Sequence, residues 1–205
     1  LDEMPEFSRR SLEILRQPLE DKVIRISRVY GTYDFPADFM LCAAMNPCPC
    51  GHYPDMNRCR CTPAQVMQYL GRISQPLLDR LDLCAEVSPV DFEGLSSGRK
   101  GESTQTIRER VICAQDIQRE RYKIEGIQFN GELSGAQIEK YCKMEKDARQ
   151  LLKMAFQNMP FSARAYHRIL KVARTIADME ATESIHRHHI AEALSYRAFD
   201  KKYWN

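Results

Sequence analysis

Cys48, Cys50, Cys59 and Cys61 form two Cys-x-Cys pairs across a polar, turn-rich loop holding His52, Pro54, Asp55 and Asn57. Four thiolates close a tetrahedron around zinc and leave no open position, so the cluster reads as a structural zinc site and not a catalytic one. His52 is an alternative fourth ligand. An iron–sulfur cluster and a disulfide pair are the other readings. Directly before the cysteines, the apolar run 39–45 ends on Asn46. A polar amide at the end of a buried strand can orient a water or touch a terminal phosphate; the plain alternative is a turn-starting Asn-Pro.

Three other places carry chemistry. Asp2 and Glu3 follow the apolar Leu1, and such a pair at a strand end can hold Mg2+ through the Asp and polarise a water through the Glu. A solvated acidic pair is the alternative. Arg80, between a helix and a strand, can reach a phosphoryl group, or can pair locally with Asp79 or Asp82. Arg164 lies in the first turn of a helix, suited to phosphate contact or simply to a solvated face.

The elements that must position these residues follow from periodicity. Ser8 caps a helix from Arg9 to about Leu15, which Pro18 and Asp21-Lys22 end. Residues 23–35 alternate as a β-hairpin with turn chemistry from Gly31 and Asp34, and Arg25, Arg28 and Tyr30 lie along it. Residues 39–45 and 83–87 read as buried strands. Thr62 and Pro63 open a helix running to about Leu78. Residues 93–103 form a Gly/Ser/Lys-rich linker between a first domain, 1–92, and a second, 104–201. The second reads as a helical bundle with segments at 104–120, 134–142, 146–157, 162–179 and 184–196.

Composition is that of an ordinary globular protein, 43% hydrophobic and 28% charged, and the net charge of +2 does not by itself mark a nucleic-acid binder. No apolar run is long enough to span a bilayer, so no membrane partner is expected. Of the eight cysteines, Cys42, Cys84, Cys113 and Cys142 stand singly and read as packed thiols of a reducing, cytoplasmic compartment. The opening Leu1-Asp2-Glu3 starts in mid-element, as in a piece of a longer protein.

The order of these segments resembles the AAA+ ATPases of the magnesium-chelatase group, and within it the Mg-chelatase-like, ComM-type subfamily. Leu1-Asp2-Glu3-Met4-Pro5-Glu6-Phe7, Ala43-Ala44-Met45-Asn46-Pro47-Cys48-Pro49-Cys50-Gly51, Leu77-Leu78-Asp79-Arg80-Leu81-Asp82-Leu83, the segment from Arg168 to Asp178 and the closing His189 to Arg197 carry the resemblance. It covers essentially the whole chain. It implies an α/β fragment of an AAA+ core with an incomplete parallel sheet, then an all-α lid domain, helical overall. Asp2 and Glu3 then resemble the Walker B pair, Asn46 sensor 1, Arg80 an arginine finger acting in trans, and Arg164 sensor 2. In that resemblance Asp2, Asn46 and Arg164 contact ATP and Mg2+ in the full-length parent, while zinc is structural. The hairpin resembles one that points into a ring pore, which makes Arg25, Arg28 and Tyr30 candidate DNA contacts.

The sequence contains no Gly-x-x-x-x-Gly-Lys-[Ser/Thr] loop, so this chain alone is expected neither to bind ATP tightly nor to hydrolyse it. The implied parent is an ATP-driven ring oligomer acting on DNA, in branch migration or strand separation during natural transformation. The alternatives are an ATPase subunit of a metal-chelatase complex and a zinc-stapled interaction module without enzymatic activity. With central strands missing, the 39–45 and 83–87 strands are expected either to pair directly or to leave exposed sheet edges through which the fragment dimerises.

Overall fold

A computed structural model of the chain describes residues 1–88, 92, 96, 101–159 and 161–197. The chain folds as two compact units, Leu1–Leu81 and, within the described residues, Asp82–Arg197. Most of the expected linker, and the expected end of the second domain at 198–201, lie outside the described residues.

In the first unit, α1 (Arg9–Ile14) starts where Ser8 accepts the Ser11 N–H. Pro18 does not end the helical stretch. It falls in the first turn of α2 (Arg16–Asp21), where its missing N–H costs nothing, and Lys22 in the left-handed region stops the helix. β1 (Val23–Arg28) and β2 (Gly31–Pro36) pair antiparallel from Val23↔Pro36 to Arg28↔Gly31. The turn is therefore Val29-Tyr30. Asp34, expected in the turn, sits in β2 opposite Arg25.

The expected helix from Pro63 to Leu78 is broken. α3 (Pro63–Leu70) carries a Thr62/Gln65 capping box. α4 (Gln75–Leu78) restarts with Ser74 as cap and Pro76 in its first turn. A Pro76 inside one continuous helix would have lacked an N–H for the Arg72 carbonyl, so the chain turns at 71–74 instead. Leu12, Met4, Ile73, Leu77 and Leu78 make one buried cluster; Cys48, Val66, Tyr69 and Leu70 make another; Met45 packs against both.

The two expected buried strands are corrected. Residues 39–45 are not a regular strand: Leu41 and Met45 are half-buried and the others exposed. Residues 83–87 are irregular, and only Cys84 is shielded. The sole sheet among the described residues is the β1–β2 hairpin, so the expected incomplete parallel sheet and the direct pairing of 39–45 with 83–87 are not found. A buried parallel strand needs neighbours at both edges and cover on both faces. Residues 42–44 find one edge partner, Leu1–Met4: Leu1 N donates to the Cys42 carbonyl at 2.7 Å, Ala44 N to Leu1 O at 2.8 Å and Met4 N to Ala44 O at 3.0 Å.

The second unit is helical, as expected. α5 (Thr104–Arg121), α6 (Gly135–Tyr141), α7 (Lys146–Asn158), α8 (Ala163–Met179) and α9 (Arg187–Ser195) enclose a core that includes Tyr122, Ile138, Leu152, Ile169, Leu170, Ile185 and Ile190. Each fully buried aliphatic side chain of this kind contributes roughly 1.5–3 kcal/mol. Ser103 and Ser162 cap α5 and α8, and a Ser134/Gln137 capping box opens α6. The last helix begins at Arg187 and not at Ser184, because Ile185 is held in a parallel bridge to Met144.

Inside this unit lies a buried polar lock that periodicity does not announce. Arg174 and Asp178, both essentially inaccessible, pair one helical turn apart. Asp178 also receives Arg121, at 2.9 Å from Nη1, and Asn130 Nδ2 at 2.8 Å. Arg174 Nη1 donates to the Glu183 carbonyl at 2.5 Å and Nη2 to that of Thr182. The lock joins α5, α8 and the turn after α8, and satisfies charges that would be costly if buried alone.

Candidate metal centre and nucleotide corner

The four clustered cysteines come together as expected. Their Sγ atoms all lie within 4.8 Å of one another. Cys48 and Cys50 are 3.4 Å apart, Cys50 and Cys59 3.6 Å, and Cys48 and Cys59 3.8 Å. Four Zn–S bonds of about 2.3 Å in a tetrahedron put sulfurs about 3.75 Å apart, so the donor set fits a closed tetrahedral metal. The four cysteines are free thiols in this structure, and the Sγ spacings of 3.4–3.8 Å exceed an S–S bond of about 2.05 Å. The cluster contains Cys48, Cys50, Cys59 and Cys61 and not His52.

Local sequence explains the convergence. Cys48 O accepts from Gly51 N at 3.0 Å, closing a tight knuckle, and Gly51 takes φ +79°, where other residues are strained. Tyr53 N points at Cys48 Sγ, 3.4 Å away. On the return side Asp55 O accepts from Cys59 N at 2.7 Å, and its carboxylate accepts from Asn57 N at 3.0 Å. Backbone N–H groups of His52 and Arg60 aimed at Cys50 lower its thiol to about 6. Burial, with Cys50 and Cys48 alongside, pushes Cys61 up to about 12. One thiolate is thus readily available and another needs a metal to form. A bound zinc would supply a rigid crosslink between the two arms.

The expected packed thiols divide differently. Cys142 is buried and Cys84 half-buried, whereas Cys42 and Cys113 are exposed, because the segments carrying them have an uncovered face.

Asp2 and Glu3 lie within the parallel contact with residues 42–44, between Leu1 and Met4, and Asn46 follows it, two residues beyond Ala44. Asp2 and Glu3 are exposed, Asp2 Oδ1 accepts the Glu3 N–H at 3.0 Å, and Glu3 adopts the left-handed region. Asn46 is exposed, its carboxamide 3.9 Å from where a Cβ on Gly51 would stand. Asp2, Glu3 and Asn46 are oxygen donors of the type a hard cation such as Mg2+ takes. Tyr69, legible in the sequence only as one apolar position of α3, is buried beside this corner; burial, then the Glu6 and Glu3 carboxylates, raise its phenol above the ordinary range.

Arg80 is not free at the surface of its unit. It pairs with Glu20, and donates from Nε to Arg16 O at 3.1 Å and from Nη1 to Pro76 O at 2.6 Å. Neither Asp79 nor Asp82 is the partner given by that pairing; Asp82 takes Arg168 of α8. Arg164 is exposed in the first turn of α8. Arg25 is held by Asp34 across the hairpin through two bonds of 2.8 and 2.9 Å. Arg28 is exposed, and Val29 and Tyr30 at the tip are each 95% exposed.

A second group, Glu180 with His188 and His189, also has metal-ligand spacing. Its hydrogen bonds argue otherwise. His189 Nδ1 accepts the His186 N–H at 2.9 Å as part of the α9 cap, which leaves the ring proton on Nε2, 2.9 Å from Glu180 Oε2. A nitrogen carrying its proton offers no lone pair to a metal. The cluster is a hydrogen-bonded helix start.

Comparison with known proteins matches the chain in two segments. Residues 1–95 match the family described as magnesium chelatase, subunit ChlI, and residues 101–197 match its C-terminal family. The chain is 46% identical over 203 residues to the protein YifB of Salmonella typhimurium, covering 98% of this chain and 39% of that protein. It is 46% identical over 199 residues to the competence protein ComM of Haemophilus influenzae, covering 97% of this chain and 38% of that protein. The Escherichia coli YifB is 43% identical over 203 residues. The chain therefore spans about two fifths of the length of the curated relatives it matches. The cysteine clip, the Asp2-Glu3/Asn46 corner and the helical unit thus sit in a chain that belongs to the magnesium-chelatase family and is similar to its ComM-type members.

Proposed function

We propose that the chain is the carboxy-terminal part of an AAA+ ATPase that works as a ring motor on DNA, with Asp2 as magnesium ligand, Glu3 as the base that polarises water and Asn46 as the sensor of the terminal phosphate. The observation that supports this reading is the parallel contact of Leu1–Met4 with residues 42–44, which ties the segment carrying the acidic pair to the segment that leads into Asn46. Hydrolysis needs the metal and the water held together in this way. Arg80 is the finger offered to a neighbouring copy, Arg164 senses nucleotide from the helical lid, and Mg2+ bound with ATP neutralises the phosphates. The Haemophilus relative is a competence protein, which supports DNA as the polymer. The exposed tip Arg28-Val29-Tyr30 offers one cation and one stackable ring to a single strand.

The test uses the parent-length protein. ATP-driven strand displacement is expected, with Glu3→Gln abolishing hydrolysis, Arg80→Ala doing so in the assembled ring, and Arg28→Ala with Tyr30→Ala removing stimulation by DNA. Hydrolysis that survives Glu3→Gln overturns the site assignment. The second reading, an ATPase subunit of a metal chelatase, is favoured by the match of residues 1–95 to the magnesium chelatase subunit ChlI family. Porphyrin-dependent stimulation of the ATPase by a partner subunit would select it.

A further inference from the structure

We infer that Arg72 is a positioning residue: it clamps the turn that follows Glu3, and so keeps Glu3 in the left-handed backbone that aims its carboxylate alongside that of Asp2. The inference deepens the ATPase reading and rests on its assignment of the acidic pair.

The backbone at the pair is out of step with its partner segment. Leu1 N donates to Cys42 O, and Leu1 O accepts from Ala44 N. In an evenly spaced parallel ladder the next donor to Ala44 O is the residue two beyond Leu1, which is Glu3. Here the donor is Met4 N, at 3.0 Å. One extra residue is therefore fitted between Leu1 and Met4, in the manner of a β-bulge, a device that re-aims side chains beside active sites. Glu3 takes up the difference with φ 49° and ψ 49°. Successive side chains of a regular strand point to opposite faces, and the extra residue breaks that alternation at Asp2 and Glu3. A left-handed backbone is costly for a residue with a Cβ, and it persists where the surroundings over-determine it.

Those surroundings act from both sides of Glu3. Before it, Asp2 Oδ1 accepts the Glu3 N–H at 3.0 Å. After it, Glu6 N donates to Glu3 O at 2.8 Å and Phe7 N to Met4 O at 3.2 Å, which closes one tight turn at Met4–Glu6. A turn this short leaves its last carbonyls without partners of its own. Arg72 Nη1 fills that place, donating to Pro5 O at 2.8 Å and to Glu6 Oε2 at 3.2 Å. Met4, 2% exposed, shares a buried cluster with Ile73, the residue after Arg72. Arg72 and Ile73 thus hold the turn by its carbonyl end and by its buried side chain. Their own place is fixed by Arg72 N on Tyr69 O at 3.3 Å and Ile73 N on Leu70 O at 3.1 Å. Gly71 permits this exit from α3, because a Cβ there would stand 2.9 Å from Met67 O. Both side-chain bonds of Arg72 come from one nitrogen, so a lysine ammonium, with three donors on one atom, can replace it. An arginine that grips a phosphate with its planar fork has no such substitute.

The experiment combines steady-state ATP hydrolysis by the parent-length protein with scalar couplings across the Glu3 N–Cα bond in this chain, which report its φ. Arg72→Met keeps the stem and removes the donor. It is expected to lower kcat by roughly 10- to 100-fold, the cost of misplacing a reacting group by about 1 Å. KM for ATP should stay within about twofold, since binding is not what the clamp supplies. In this chain the same variant should move the Glu3 couplings off their left-handed values. Its urea midpoint should stay close to that of the wild type, because the Arg72–Glu6 pair is largely exposed. Arg72→Lys is expected to restore both kcat and the couplings. Unchanged kcat and unchanged Glu3 couplings in Arg72→Met overturn the role of Arg72. A loss in Arg72→Lys as large as that in Arg72→Met also overturns it, in favour of direct phosphate contact. Normal hydrolysis by Glu3→Gln overturns the assignment of the acidic pair and the inference with it. An inactive Glu3→Gln beside a fully active Arg72→Met overturns the clamp alone.

Discussion

Arg80 illustrates how a single side chain can be placed by its neighbours in a way its sequence context hides. The local carboxylates Asp79 and Asp82 are adjacent in sequence, yet the guanidinium turns back to α2 and takes Glu20 and the Arg16 carbonyl. Asp82 points to Arg168 instead. Only 11% of the Arg80 side chain is exposed, so its removal strips partners from a partly shielded site. Arg80→Ala is expected to destabilise the Leu1–Leu81 unit by about 2 kcal/mol, within the range for hydrogen bonds to charged groups. Urea unfolding of this chain measures it; an unchanged midpoint would mean that the Glu20 contact is not formed in solution. The cysteines behave oppositely: residue type and spacing alone made Cys48, Cys50, Cys59 and Cys61 a metal set, because a clip closed by a short loop owes little to the rest of the fold.

Among the elements, those with capping signals were legible and those that depend on distant partners were not. Ser8, Thr62 and Ser134 announced the helices they start. The apolar run 39–45 announced a strand that residues 42–44 realise only as an irregular edge, since its pairing depends on which segments lie beside it. The lock between α5 and α8 was silent for the same reason: Asp178 reads as a polar residue near a helix end until Arg121 and Asn130 arrive from elsewhere. Asp178→Asn is expected to cost the Asp82–Arg197 unit about 3–5 kcal/mol, the usual penalty for leaving buried partners unpaired. Thermal or urea unfolding of the variant checks it; a loss under 1 kcal/mol, the scale of an exposed pair, would count against the lock.

A second test at this scale uses pH. After α5, Glu125 accepts from Lys140 at 2.6 Å, Tyr141 at 2.8 Å and Gln137 at 3.3 Å, which holds its carboxyl at about 2, below its ordinary 4.5. A depressed carboxyl stabilises the fold above its unfolded value and loses that contribution as pH falls through the folded one. The melting temperature should therefore fall between about pH 4.5 and 2, and Glu125→Gln should flatten part of that fall. Because these groups face solvent, added salt should shrink the difference. Equal acid sensitivity of variant and wild type would remove Glu125 from the account.

At the scale of the whole molecule, the clip belongs entirely to one unit and the polar lock entirely to the other. Metal binding that favours the folded state adds stability by mass action. Stripping metal with a chelator is therefore expected to lower the calorimetric transition of Leu1–Leu81 more than that of Asp82–Arg197, and re-addition of Zn2+ should restore it. Equal shifts of both transitions, or none, would contradict this assignment of the clip.

The sequence by itself determined the candidate metal donor set, the hairpin, the capped starts at Ser8, Thr62 and Ser134, and the family. All of these rest on residues close in the chain, where spacing, capping and turn chemistry act without help. The tertiary structure decided the rest: that residues 42–44 pair along one edge with Leu1–Met4, that Arg80 turns to Glu20, and that Asp178 gathers Arg121, Arg174 and Asn130. Each of these joins groups far apart in sequence, and a buried polar atom takes whichever partner the packing brings within reach.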